Sequence, residues 1–363
     1  MSIPLVLVGA GGMGRAWLAT IQAEPGAEVA GVVDLDLDAA RGALADAGLD
    51  GVPVGTDAVA LARETGARAI VNVTVPAAHH PVTTAALFAG LPVLGEKPVA
   101  ESVPRALSLA AAAEVTGELF VVSQSRRYNR QLFAFREQAR TLGDLGVLTT
   151  EFFKAPRFGG FRDAMAHPLL LDMAIHPFDT ARFLLGAEPV SVYCEEFNPS
   201  WSWYAGDAAA TAVFEMTGGV RYAYTGSWCS PGRETSWNGA WRLSGRDGTA
   251  LWDGDHEPVV EGPRDGLHDA AQGADPGDGI AGSLAAFLAA LDGGPTPMGE
   301  VHENVLSLVM VAAAVESAAT GAKVLVDDVL ERAYTEALAT ETREDVRAQL
   351  ASWASVRAAL GTA

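Results

Sequence analysis

Over its first third the chain alternates short apolar, β-branched runs with alanine-rich stretches of helical period. The pattern predicts strands at 3–8, 29–33, 69–73, 92–94 and 119–122, and helices at 15–23, 38–47, 81–89 and 102–116. Strand and helix in turn imply a parallel sheet covered on both faces, an α/β arrangement. After about residue 123 the rhythm changes. Helices are expected at 130–142 and 169–185, with a strand at 147–153 between them. From 190 to 252 the pattern predicts antiparallel, half-buried strands, among them 211–216 and 220–228. Runs 241–243 and 249–252 flank Gly245-Arg246-Asp247-Gly248, a hairpin signal. Residues 253–279 are rich in Gly, Asp and Pro and read as an exposed loop. An apolar helix follows at 301–319, then a strand at 323–326. Leu350, Trp353, Val356 and Leu360 recur at helical spacing in an amphipathic helical tail over 336–363. The expected domains are 1–123, 124–330 and the tail 331–363, with helix 301–319 packing back on the first.

Composition narrows the class. The 363 residues are 49% hydrophobic and 19% charged, enough for packed domains. Net charge is 25 − 45 = −20, which disfavours nucleic acid and anionic membrane surfaces as partners. The apolar run 305–315 falls short of the ~20 residues that cross a bilayer. No basic segment with a cleavable apolar stretch precedes the first strand, so a cytoplasmic protein is expected. Cys194 and Cys229 form no disulfide framework or metal spacing, and no metal site is expected.

Three motifs carry chemistry. Gly9-x-Gly11-x-x-Gly14, with Gly12 and Met13 inside it, follows a strand and opens a helix. The first glycine permits the turn, the second admits a pyrophosphate to the backbone, and the third lets helix and strand pack closely. Asp34 ends the next strand and can accept the adenosine ribose hydroxyls. Asp36 adds negative charge and the next arginine is Arg41, so NAD is favoured over NADP. Lys97 is one of three lysines and lies at a strand end in Glu96-Lys97-Pro98. An ammonium is a compact point charge that an arginine does not reproduce. Asp172 and His176 are four apart, and Asp179 three further. On a helix they share a face, where a carboxylate can orient an imidazole general base. Pro177 disfavours helical geometry at His176 and predicts a kink or an irregular first turn. Oxidising a secondary alcohol requires removal of its hydroxyl proton as well as its hydride. A histidine suits the first task, and a nearby ammonium can hold the oxygen.

In order, the glycine turn, Thr74-Val75-Pro76 with His80, Glu96-Lys97-Pro98 and Asp172-x-x-x-His176-x-x-Asp179 resemble the Gfo/Idh/MocA oxidoreductases, over roughly residues 3–326. The resemblance implies a Rossmann domain followed by an α+β domain with an open, largely antiparallel sheet, often a homodimer or homotetramer interface. It implies Lys97 at the reacting hydroxyl, His176 as acid/base, Asp172 on substrate or supporting His176, and Glu96 near the nicotinamide ribose. Thr74, Pro76 and His80 would line the cofactor. The Lys97–Pro98 bond is often cis in such proteins, and Arg127-Tyr128 resembles the family's Arg-aromatic pair. Val75, Ala77 and His167-Pro168 depart from the family pattern, which leaves substrate identity open.

Six of eight tryptophans fall between Trp201 and Trp252, and most are expected in core or interface. Trp201, Trp203 and Tyr204 are the better substrate candidates. Arg127, Tyr128 and Lys154 are further candidates to contact substrate. Arg157 could also reach a polar ligand, though surface charge is the simpler reading of Lys154 and Arg157, as solvation is of His256 and His268. The reading is an NAD-dependent dehydrogenase acting on a secondary ring hydroxyl of a sugar or cyclitol, or on the matching ketone. An NAD-assisted glycoside hydrolase or lyase, or a non-catalytic dinucleotide-binding regulator, stands as the alternative.

Overall fold

A computed structural model describes residues 2–262 and 275–361. His268 and part of the loop expected at 253–279 lie outside the described residues. The chain forms two compact units. The first comprises 1–128, 277–305 and 332–363, and the second 129–276 and 306–331. The chain thus re-enters the first unit twice, a route absent from the continuous segments read from sequence.

The first unit holds six strands: β1 (Ile3–Val8), β2 (Ala27–Val33), β3 (Val54–Gly55), β4 (Ala69–Asn72), β5 (Val93–Gly95) and β6 (Phe120–Val122). They are all parallel, in the order β3-β2-β1-β4-β5-β6. This is the Rossmann order, with its switch point between β1 and β4. Leu5, Leu7, Val71 and Leu94 on the strands meet Trp17, Leu18 and Ile21 of helix Gly12–Ala23 in one buried cluster. Leu284, Phe287 and Leu288 of helix Gly279–Leu291 complete it. Sequence periodicity gave no separate signal for that helix, which is apolar on nearly every face. The helix expected to start at Pro81 starts at Pro76, with Pro81 inside it.

The second unit holds β7 (Leu145–Phe153), β8 (Pro189–Phe197), β9 (Ala209–Met216), β10 (Arg221–Ser227), β11 (Ala240–Gly245), β12 (Gly248–Trp252), β13 (Val259–Glu261) and β14 (Val324–Leu325). They form one sheet in the order β13-β12-β11-β7-β10-β9-β8-β14. It is antiparallel except for the pair of β7 and β10. Helix Ile175–Leu185 covers one face, where Phe178 meets Phe214 and Tyr224 edge-on at 4.8 and 5.3 Å. Of the six tryptophans between 201 and 252, Trp228, Trp241 and Trp252 are buried, while Trp201 and Trp237 are exposed. The fold is therefore α/β with a second, mostly antiparallel sheet.

The structure adds detail to two expectations from the chain's end. Helix Val301–Thr320 has 20 residues and a mean hydropathy of 1.2, so length and composition alone would let it cross a membrane. Yet 61% of its apolar stretch is buried in the protein, and Asn304, Ser307 and Ser317 are wholly enclosed. It is a core helix. The tail is helical, divided into Val326–Thr340, Glu344–Ser352 and Val356–Ala359. Leu350, Val356 and Leu360 are buried.

Candidate active site

The glycine turn follows β1 at the switch point. Gly9 has φ +105°, and a Cβ there would lie 2.7 Å from the Val73 carbonyl oxygen. A Cβ on Gly14 would lie 2.0 Å from the Gly9 oxygen. At Gly11 and Gly12 a Cβ meets nothing within 4 Å, so this stretch of backbone faces open space. The Asp34 carboxylate accepts from the Ala10 amide at 2.7 Å and the Asp36 amide at 2.9 Å, which fixes it beside the turn. Asp36 caps the next helix through the Asp38 and Ala39 amides, and Arg41 is held by Asp38 at 2.9 Å. Open backbone amides beside a fixed carboxylate fit a dinucleotide with a free 2′-hydroxyl. Met13, Leu35 and Val75 are exposed apolar side chains in the same unit.

The lysine turn leaves the end of β5, and the Lys97–Pro98 bond is cis. Glu96 accepts from the Trp17 indole at 2.8 Å and from the Lys97 amide at 3.2 Å. Burial raises the Glu96 pKa, while Trp17 and Lys97 pull it back. The ring nitrogens of His79 lie 2.6 Å from the Pro98 carbonyl oxygen and 2.9 Å from that of Thr74. Both oxygens accept, so a neutral ring can donate to only one. Burial dominates and lowers the His79 pKa, assisted by the Lys97 charge and opposed by the two carbonyls. Thr74 is tied in turn to Asn72, whose amide reaches Thr83 at 3.1 Å.

The histidine beside this turn is therefore His79, not His80. Burial and then the Arg105 charge press His80 down to about 4, with Glu341 opposing. Its electrostatic neighbours are thus on the following helix and the tail. Because the helix begins at Pro76, His79 falls on its buried side. The buried alternation of that helix was the missed signal.

Arg127 and Tyr128, candidates to contact substrate, are both buried. Arg127 is paired with Glu303, and the Tyr128 hydroxyl reaches the Met298 carbonyl at 3.4 Å. Burial raises the Tyr128 pKa to about 12.

In the second unit, a π-helical turn, Leu169–Ala174, leads into helix Ile175–Leu185. Pro177 thus occupies the first turn of the α segment, where a missing N–H costs little, and the irregular turn precedes it. His176 remains helical and buried. Asp172 accepts from Arg162 Nε at 2.7 Å. Asp179 accepts from the Ser307 hydroxyl at 2.6 Å, and Arg182 donates to Ser307 at 2.8 Å while its Nε meets Glu188 at 2.6 Å. Asp179 is therefore part of a buried network that fixes this helix. Tyr204 is buried, and burial lifts it to about 12, with Asp163 and Asp172 adding to the rise. Lys154, proposed as a substrate contact, is buried, salt-bridged to Glu234 at 2.9 Å and set 4.8 Å over the Trp237 ring. His167 Nδ1 meets Glu196 at 2.7 Å, a pair the spacing did not reveal. Exposed His256 is hydrogen-bonded to Asp253 at 2.7 Å. Among the described residues no cluster of three or more metal-ligating side chains occurs.

Two family models match the chain: the oxidoreductase family with an NAD-binding Rossmann fold over residues 3–124, and the GFO/IDH/MocA C-terminal domain over 138–251. The chain belongs to the GFO/IDH/MocA oxidoreductase family. Its first domain is the NAD-binding one, and NAD is its cofactor. Protein y4oX of Sinorhizobium fredii (strain NBRC 101917 / NGR234), described as uncharacterized, is 28% identical over 354 residues, covering 91% of this chain and 98% of that one. Inositol 2-dehydrogenase 4 of Saccharopolyspora erythraea is 34% identical over 193 residues, 51% of this chain and 55% of the relative. The crystal structure of an oxidoreductase from Agrobacterium radiobacter, in complex with NAD+, L-tartaric acid and magnesium, superposes with TM-score 0.80. Identity to it is 20%, and the match covers 91% of this chain and all of that one, so this likeness speaks for the fold.

Proposed function

We propose that this oxidoreductase oxidises a secondary ring hydroxyl of a sugar or cyclitol, or reduces the matching ketone. Bound NAD supplies the hydride acceptor. The chain's own residues handle the oxygen. Lys97 holds the reacting hydroxyl and stabilises negative charge as it develops there. His176 takes the hydroxyl proton in the forward direction and returns it in reverse. Asp172, fixed by Arg162, binds a neighbouring hydroxyl. One observation carries this reading: the Lys97 turn is braced from two sides, by Glu96 through Trp17 and by His79 through Pro98. A surface lysine needs no such support. A lysine that must meet a reacting atom does. The name of the inositol 2-dehydrogenase relative supports a cyclitol or sugar as substrate.

Replacing Lys97 by Met removes the charge and keeps the length. Turnover should fall by orders of magnitude while NAD affinity, followed by fluorescence titration, stays near wild type. Undiminished NADH formation from the best of a panel of inositols, aldoses and glycosides would remove Lys97 from this role.

A further inference from the structure

We propose that the second unit carries a wall for a flat, uncharged apolar group attached to the sugar, so that the preferred substrate is a glycoside of an aromatic or similarly planar alcohol. The proposal rests on Asp172 being a substrate contact.

Among the exposed aromatic side chains of the described residues, four lie around Arg162 and Trp228. Phe158 is 58% exposed, Phe161 59%, Trp201 63% and Trp237 40%. Exposed apolar surface on this scale marks a binding surface when the rings adjoin one another. Phe158 stacks on Trp237 at 6.4 Å and 28°, and it packs 6.2 Å from buried Trp228. Trp201 is hung by its indole N–H from the carbonyl of Cys229, the residue after Trp228, at 3.0 Å. Rings fixed in this way lose little freedom when a ligand stacks on them.

Arg162 joins this wall to the candidate substrate carboxylate. Its guanidinium lies 4.8 Å from the Phe161 ring centre and 5.5 Å from that of Phe158. Its Nε donates to Asp172 at 2.7 Å. Direct contacts therefore run without a gap from Asp172 to the exposed rings. A sugar held by Asp172 would present its substituent to that wall.

Charge decides the kind of substituent. Arg162 is already matched by Asp172, and Lys154 by Glu234 at 2.9 Å. The cations touching these four rings are thus neutralised, and Arg157, beside Phe158, lies 4.0 Å from the Trp203 ring centre. A nucleoside diphosphate needs cations available to its phosphates. A neutral planar aglycone needs stacking surface and no charge.

The test uses full-length protein with saturating NAD and matched methyl and phenyl glycosides of the same sugars. NADH formation gives kcat/KM, and calorimetry gives Kd. The phenyl member should be favoured about tenfold, and Phe158→Ala/Phe161→Ala should remove that preference. Phe161→Ala alone, checked by circular dichroism, serves if the double variant misfolds. Equal use of methyl and phenyl partners by the wild type overturns the proposal, as does an unchanged preference in the variants. Stronger use of UDP-glucose, weakening with salt, would make the occupant a nucleotide instead. Loss of oligomer mass in the variant, with the phenyl preference intact, would make the wall a subunit contact. Oxidation of free sugars without a phenyl preference defeats this proposal alone. Failure of phenyl glycosides to bind by calorimetry defeats it whether or not any sugar is oxidised.

Discussion

Between Thr74 and Pro98 a single imidazole spans the ends of two neighbouring strands, β4 and β5. His79 makes no claim on substrate, yet it sets where the turn bearing Lys97 can lie. His79→Asn should therefore lower kcat about tenfold to a hundredfold with little change in NAD affinity. Retention of full kcat would show that the turn holds itself. Glu196 offers a second test. Burial raises its carboxyl to about 7, with the His167 charge and hydrogen bond opposing and Asp207 adding to the rise. A carboxyl whose folded pKa is raised binds more protons folded than unfolded, so stability is lost as pH rises from about 4.5 to about 7. Glu196→Gln keeps an acceptor for His167 and abolishes the ionisation. Relative to wild type, urea denaturation should find the variant more stable at pH 8 than at pH 5, by on the order of 2–3 kcal/mol. An equal difference at both pH values would contradict the assignment. At this scale the sequence marked Lys97 and Asp34 because each ends a strand. It could not choose His79 over His80, since adjacency says nothing about which ring faces inward.

The tail shows what elements add. Glu114 on helix Val103–Thr116 accepts from Gln349 at 2.8 Å, Trp353 at 2.7 Å and His302 at 3.2 Å. Trp353 also stacks on Tyr334, whose hydroxyl donates to the Leu350 carbonyl. One carboxylate thus gathers three donors from two later segments of the same unit. Glu114→Ala leaves those donors without their acceptor and should destabilise the first unit by about 1–2 kcal/mol. Hydrogen exchange in Glu344–Ser352 would report it, and unchanged protection there would sink the clasp. Burial lowers the His302 pKa, but Glu300 and Glu114 together outweigh that and raise it. Its contribution is complete below pH 6.5 and fades as pH rises through the raised value. Helical spacing in the tail was read correctly for Leu350, Val356 and Leu360. The breaks were not, because they follow from where the segments dock. The helix at Gly279–Leu291 escaped for a related reason: its exposed positions, Ala281, Ala285 and Ala289, are alanines, so no polar stripe betrays its open face.

For the whole molecule, the sequence by itself determined the α/β class, the glycine turn, the strand-end aspartate and the lysine turn. Each depends on steric and electrostatic demands confined to a few neighbouring residues, such as the room that Gly9 and Gly14 must leave for backbone. It also supplied the order of motifs by which the family is recognised. Only the tertiary structure decided the rest. Arg127, a candidate substrate contact, is buried and paired with Glu303, 176 residues away. Lys154 looked like surface until Glu234 and Trp237 enclosed it. Asp172 met Arg162, and through it the open rings of Phe158 and Phe161. A buried charge is committed to whichever distant partner folding delivers, and local spacing carries no record of that partner.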